Sequence, residues 1–217
     1  MPQRFDVVVF DWDGTLADST GPIATCMQAA CRDLGLPIPT VAQAKHVIGL
    51  GLDDALGQLV PGFPPDQYSR LVDAYRRNYF ARPAPHPLYE GIDALLAHLE
   101  GAGFTLAVAT GKSRPGLERS LAETGLQGRF SALRTADHTA PKPEPHMLYE
   151  LADELGVKPE RMLMIGDTSY DLDMAQRAGS ASLGVTYGAH PITELQRWPA
   201  LALIDSPQAL LHWFQTN

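Results

Sequence analysis

"VVVFDWDGTLADS" runs from Val7 to Ser19, and its reading decides the fold. Four apolar residues lead directly into Asp11 and Asp13, and the chain then turns at Gly14. An uninterrupted apolar run of this kind marks a strand covered on both faces, as in a parallel sheet. Alternate residues of an extended strand point the same way, so Asp11 and Asp13 share a face and Trp12 takes the other. Two carboxylates held together are costly unless a cation or a proton is shared between them.

Similar runs recur downstream. They are "FTLAVATG" (104–111), "RMLMIGD" (161–167) and "ASLGVTYG" (181–188), with a shorter "LALID" (201–205) and a further candidate in "SALRTAD" (131–137). Helical patterns lie between them. "YEGIDALLAHLEGAG" (89–103) places Ile92, Leu95, Leu96 and Leu99 on one face and stops at Gly101. "SRPGLERSLAETGL" (113–126) starts on Ser113 and Pro115, and "EPHMLYELADELGV" (144–157) ends at Gly156. The alternation predicts an α/β fold with a doubly wound parallel sheet.

Residues 16–82 read differently. Three helical patterns follow one another with no strand between them, separated by "PIPT" and "PGFPP". The expected organisation is a catalytic core of residues 1–15 and 83–217 with a small helical cap inserted at 16–82. Linkers near Leu16 and Ala84 would join the two.

The 217 residues are 45% hydrophobic, enough for a sizeable core. Lys and Arg number 17 against 25 Asp and Glu, for a net charge of -8. This lacks the basic footprint of a nucleic-acid binder, so a phosphorylated ligand must be held by local positive charge or a metal. No run of about 18 apolar residues occurs, and neither a membrane span nor a signal sequence is expected. Cys26 and Cys31 stand five apart in a helical pattern, which turns their thiols to different faces. Neither a disulfide nor a zinc site is expected, which fits a reducing cytoplasm. The expectation is a cytoplasmic monomer or homodimer.

In an open α/β sheet, ligands bind beyond the carboxyl ends of the strands. The polar residues at those ends are Asp11, Asp13, Thr110 and Asp167, with Lys142 following in "APKPEP". Carboxylates, a hydroxyl and an ammonium on one sheet edge make a metal-and-phosphate site. Mg²⁺ suits it, preferring oxygen ligands and bridging protein carboxylates to substrate phosphate. Asp11 can then attack phosphorus to form an aspartyl-phosphate. Asp13 can protonate the leaving oxygen and later take a proton from water.

"DWDGT" resembles the DxDGT signature of the haloacid dehalogenase superfamily. Thr110 in "VATG", the "PKP" around Lys142 and "GDTSYDLDMA" (166–175) match three later motifs in order, so the resemblance covers nearly the whole chain. The pattern is most similar to phosphoglycolate phosphatases. The resemblance implies that Asp11 is nucleophile and Mg²⁺ ligand, and that Asp13 is acid/base and a ligand through its backbone carbonyl. It implies that Thr110 and the Gly111 N–H hold the phosphoryl group, which Lys142 neutralises. Asp167 would bind Mg²⁺ directly, and Asp171 would orient water at the metal or support Lys142. Residues 16–82 fit the cap of this family, in which "GLGLDD" (49–54) is a loop between helices. Its Gly49, Leu50, Gly51 and Leu52 are expected to touch substrate.

Other readings are weaker. "ATGKS" (109–113) lacks the glycine five residues before Gly111 that a nucleotide-binding loop requires, since position 106 is Leu. "GLGLDD" follows a helical pattern and lacks the third glycine of a dinucleotide fingerprint. His46, His138 and His146 show no ligand pattern, while Lys45, Arg76 and Arg77 read as a solvated face or as partners for a substrate carboxylate or second phosphate. A phosphosugar mutase of the β-phosphoglucomutase type shares every core motif. Such mutases carry a histidine and a lysine soon after the first motif, and "DSTGPIATCMQ" has neither. Dehalogenation would leave Asp13 superfluous, and a non-catalytic binding module would not need complete motifs. The expected function is Mg²⁺-dependent hydrolysis of a small phosphomonoester, foremost 2-phosphoglycolate, with pyrophosphate, nucleotides and sugar phosphates as other substrates.

Overall fold

In the computed structural model, which describes residues 4–81 and 86–217, Val7–Phe10 forms strand β1. It is followed by β2 (Thr105–Thr110), β3 (Ala132–Thr135), β4 (Met162–Gly166), β5 (Ala181–Val185) and β6 (Leu203–Ile204). These pair as one six-stranded sheet in the order β3-β2-β1-β4-β5-β6, and every pairing is parallel. The helices are α1 (Thr20–Asp33), α2 (Val41–His46), α3 (Leu52–Leu59), α4 (Tyr68–Phe80), α5 (Ile92–Gly101), α6 (Arg114–Thr124), α7 (His146–Leu155), α8 (Ser169–Ala178), α9 (Ile192–Leu195) and α10 (Pro207–Thr216). This is the doubly wound α/β fold.

Both faces of the sheet are covered, which explains why the strands read as continuous rather than alternating apolar runs. Val7 and Val9 join Ala107, Met162 and Met164 in a core closed by Met147 and Leu151 of α7 and Met174 of α8. Val8, Phe10 and Trp12 belong to the opposite core, with Leu95 and Leu99 of α5, Leu117 of α6 and Leu210 of α10. Trp12 therefore faces away from the cluster containing Val7 and Val9, and Phe130 meets its ring edge-on at 6.3 Å. Each such side chain, fully buried, contributes about 1.5–3 kcal/mol.

Helices α1 to α4 hold a separate core of their own. Ile23 and Met27 of α1, Ala44 of α2, Leu56 of α3 and Leu71 of α4 meet there with Val47 and Leu50. Cys26 and Cys31 are buried in α1, and no disulfide joins them. "GLGLDD" is only half a loop. Gly49 to Gly51 connect α2 to α3, but Leu52 to Asp54 form the first turn of α3, where Asp53 and Asp54 complement the positive helix terminus. Leu16 is buried against the sheet. The expected linker at Ala84 and the boundary at 82/83 lie outside the described residues. Among those residues, no helix is long and apolar enough to cross a membrane.

Candidate active site

The strand order reverses around β1, and the chain leaves β1, β2 and β4 on the same edge. Phe10 is in register with Val108 of β2 and Ile165 of β4, so the carboxyl ends of these strands lie side by side. Asp11 follows β1, Thr110 ends β2 and Asp167 follows β4. After Asp13 the chain turns sharply, with the Trp12 carbonyl accepting the N–H groups of Leu16 and Ala17 at 3.0 Å each. Gly14 makes this possible. Its φ is +86°, and a Cβ there would run into the Asp167 carboxylate.

Asp11, Lys142, Asp167 and Asp171 meet below this edge, all buried. The Lys142 ammonium lies 2.8 Å from Asp11 Oδ1 and 2.6 Å from Asp171 Oδ1, at ion-pair distance but without hydrogen-bond alignment. Asp171 is fixed by a capping box at the start of α8, where its Oδ2 accepts from the Thr168 hydroxyl at 2.7 Å and the Thr168 N–H at 3.1 Å. Asp167 accepts from the Thr15 hydroxyl at 2.9 Å and the Ala189 N–H at 2.7 Å.

One ammonium thus pairs with two of the three buried carboxylates. Burial pushes Asp11 up to about 7, with Lys142 opposing the rise and Asp171 adding to it. Burial also lifts Asp167 well above the usual carboxylate range, reinforced by Asp11 and Asp171. Burial disfavours the Lys142 charge, but Asp11 and Asp171 outweigh it and hold the ammonium protonated.

Asp13 has a different environment. Its Oδ1 accepts from the Ser19 hydroxyl at 2.6 Å and pairs with the Lys112 ammonium at 3.0 Å; none of the described residues holds Oδ2. Lys112 also donates to the Tyr79 hydroxyl of α4 at 3.1 Å. Burial opposes its charge, and Asp13 and Tyr79 more than restore it. Thr110 Oγ1 accepts the Lys112 N–H at 3.2 Å.

The 49–51 loop is seated on this edge at Gly111. A Cβ on Gly111 would collide with the Leu50 carbonyl and lie 2.6 Å from that of Gly49. Gly111→Ala is expected to lift the loop and cost about 10²-fold in kcat/KM, because small displacements of positioning groups are amplified in rate. Wild-type kinetics in that variant would show that the contact has no part in the reaction. Asp11, Asp13, Thr110, Gly111 and residues 49 to 52 all line one cavity of about 390 Å³.

The Haloacid dehalogenase-like hydrolase family matches residues 8–185, most of the chain. The chain belongs to the haloacid dehalogenase-like hydrolases. Among curated proteins, this hydrolase is 35% identical to a probable phosphatase, IndB, of Dickeya dadantii, over 92% of this chain and 89% of that protein. It is 32% identical to a phosphoglycolate phosphatase of Aliivibrio fischeri, over 90% of this chain and 92% of that protein. A crystal structure described as a predicted phosphoglycolate phosphatase from Haemophilus somnus superposes with a TM-score of 0.87 at 25% identity, covering 99% of this chain and all of that one. In line with these relatives, the hydrolase is a phosphatase, acting on phosphoric monoesters.

The family implies Mg²⁺, and the residues of this hydrolase fit it. One carboxylate oxygen from each of Asp11, Asp167 and Asp171 lies within 4.8 Å of the others, an all-oxygen donor set of the kind Mg²⁺ takes. Asp11 Oδ2 is buried with no hydrogen-bond partner among the described residues, as an oxygen awaiting a cation or a phosphoryl group would be. Asp171 has its oxygens against Lys142 and Thr168, and Asp167 has its own accepting from Thr15 and Ala189, which leaves Asp11 Oδ2 as the open carboxylate oxygen of the three.

Some residues here escape the sequence reading. Lys112 stands two positions beyond Thr110 and draws notice only through the rejected nucleotide loop; Tyr79 and Ser19 carry no signal, and Thr15 shows only as the last residue of "DWDGT", with no role attached to it. Nor does the cluster of His46, His190 and Glu194, which forms where α2 meets the segment after β5. The His46 ring stacks on His190 at 4.8 Å, and its Nδ1 lies 3.4 Å from Glu194. His138 and His146 are exposed.

Proposed function

We propose that this hydrolase cleaves a small phosphomonoester by in-line attack of Asp11 on phosphorus, and that water then resolves the phospho-aspartate. The observation that carries this reading is the Asp11 carboxylate itself. One oxygen is pinned by the buried Lys142 ammonium, while the other is unpaired beside the cavity. Residues 16–82 act as the cap and the rest as the catalytic core, with Gly49, Leu50, Gly51 and Leu52 meeting the substrate.

The roles follow from the contacts. Asp11, Asp167 and the Asp13 backbone carbonyl would hold Mg²⁺, which when bound would supply positive charge to the transferring group. The Thr110 hydroxyl and the Gly111 N–H position the transferring group, and Lys142 neutralises it, kept in aim by Asp171. Ser19 and Lys112 occupy Oδ1 of Asp13, so Oδ2 carries the proton to the leaving oxygen and afterwards receives one from the attacking water. 2-Phosphoglycolate, the substrate named for one curated relative, is the reference ester.

Asp13→Asn tests the proton role. With an alkyl phosphate and Mg²⁺, turnover is expected to fall about 10²- to 10⁴-fold. With p-nitrophenyl phosphate the leaving group needs no proton, so a stoichiometric burst of p-nitrophenol should precede a slow steady state. Unimpaired turnover of both esters would remove Asp13 from the reaction.

A further inference from the structure

Given that phosphatase reading, the structure also bears on which alcohol leaves. We propose that the ester cleaved here carries a neutral leaving group with an apolar body, of the arylmethyl or alkyl class, rather than one bearing a carboxylate. The cavity of about 390 Å³ lies in the range of sites for ligands much larger than a two-carbon acid. Asp11, Asp13 and Thr110 line it. Its lining also includes Ile23 and Met27 of α1, Leu50 of the loop, and Tyr75 and Tyr79 of α4. The two phenol rings stack at 5.8 Å with 27° between their planes.

A second anion in such a chamber needs its own fixed cation. Neither buried ammonium is available. Lys142 is held by Asp11 and Asp171, and Lys112 by Asp13 and the Tyr79 hydroxyl. Arg76 lines the cavity from an exposed position, but the exposed Asp53, Asp54 and Asp137 line it too, so the local charge there is negative. A substrate carboxylate would meet carbon and like charge. An apolar body would displace water from Ile23, Met27 and Leu50 and lie against the tyrosine rings.

The test compares kcat/KM of the Mg²⁺-loaded enzyme for benzyl phosphate, glycerol 1-phosphate and 2-phosphoglycolate, all esters of a primary alcohol. Benzyl phosphate is expected to exceed 2-phosphoglycolate by about tenfold or more, the discrimination that a few apolar contacts give. In Leu52→Arg, which adds a cation to the half-buried wall, that ratio should shrink through a lower KM for 2-phosphoglycolate. A wild-type ratio below about tenfold overturns the proposal and leaves the phosphatase reading standing. Failure to cleave any of the three esters, with p-nitrophenyl phosphate also inert, overturns the phosphatase reading itself.

Discussion

Asp11→Asn is expected to abolish turnover, by about 10⁴-fold or more, while leaving the apo fold at least as stable as wild type. The amide matches the carboxylate in shape but cannot displace an alcohol from phosphorus, and losing a nucleophile costs on this scale. The stability half follows from linkage. Burial raises Asp11 to about 7 in the folded chain, above its unfolded value, so the folded state binds the extra proton between those values. Above that window the wild type must keep a buried charge that Asn never carries. The variant's apo melting temperature should therefore match or exceed wild type at about pH 8, with any gain fading as the pH falls through 7. Steady-state assays, acid-quenched detection of phosphoenzyme and thermal melts at two pH values check it. Phosphoenzyme formed at wild-type levels in the variant would end the proposed role of Asp11.

Lys142→Met should be as severe for catalysis and opposite in stability. Its ammonium lies between Asp11 and Asp171, and truncating one partner of a buried ion pair costs about 3–5 kcal/mol because the other charges are stranded. With the ammonium gone, Asp11 loses the charge that opposes its rise and climbs further above its unfolded value. The deficit should be greatest at high pH and shrink in acid, as the folded state takes up protons. Urea unfolding at about pH 8 and about pH 5.5 measures it. Mg²⁺ should recover part of the stability but little of the turnover, since a cation near Asp11 replaces charge but not the lysine's reach to the phosphoryl group. Equal unfolding midpoints for variant and wild type at the higher pH would mean that the pair contributes nothing.

How far the sequence was legible depends on the range of the forces involved. The strands show as continuous apolar runs because helices cover both faces of each one, and Ser113 and Gly156 mark helix ends through local capping chemistry. The carboxyl-end rule needs only strand positions, so Asp11, Thr110 and Asp167 group together from the sequence. Asp171 shows locally as the acid of a Thr168 capping box, but its approach to Lys142 depends on tertiary packing. Lys112 was missed because its meaning depends on Tyr79, and no pattern within α4 reveals that this hydroxyl points down onto the sheet edge. His46 and His190 are separated by most of the chain and meet only through the docking of α2. Leu52 fell on the wrong side of a loop boundary because the glycines before it outweighed the two acids after it. The preference for 2-phosphoglycolate came from resemblance alone, whereas the character of the cavity depends on which faces of α1 and α4 turn inward.

The bond between Tyr79 and Lys112 crosses from the helical layer to the sheet, and its other end is the Asp13 carboxylate. Any excursion that separates the two layers breaks the phenol contact and admits solvent, in which an ion pair of this kind loses most of its strength. The proposed proton donor is thus tied to the position of the roof above it: its orientation is firm while the chamber is shut and slack once it opens.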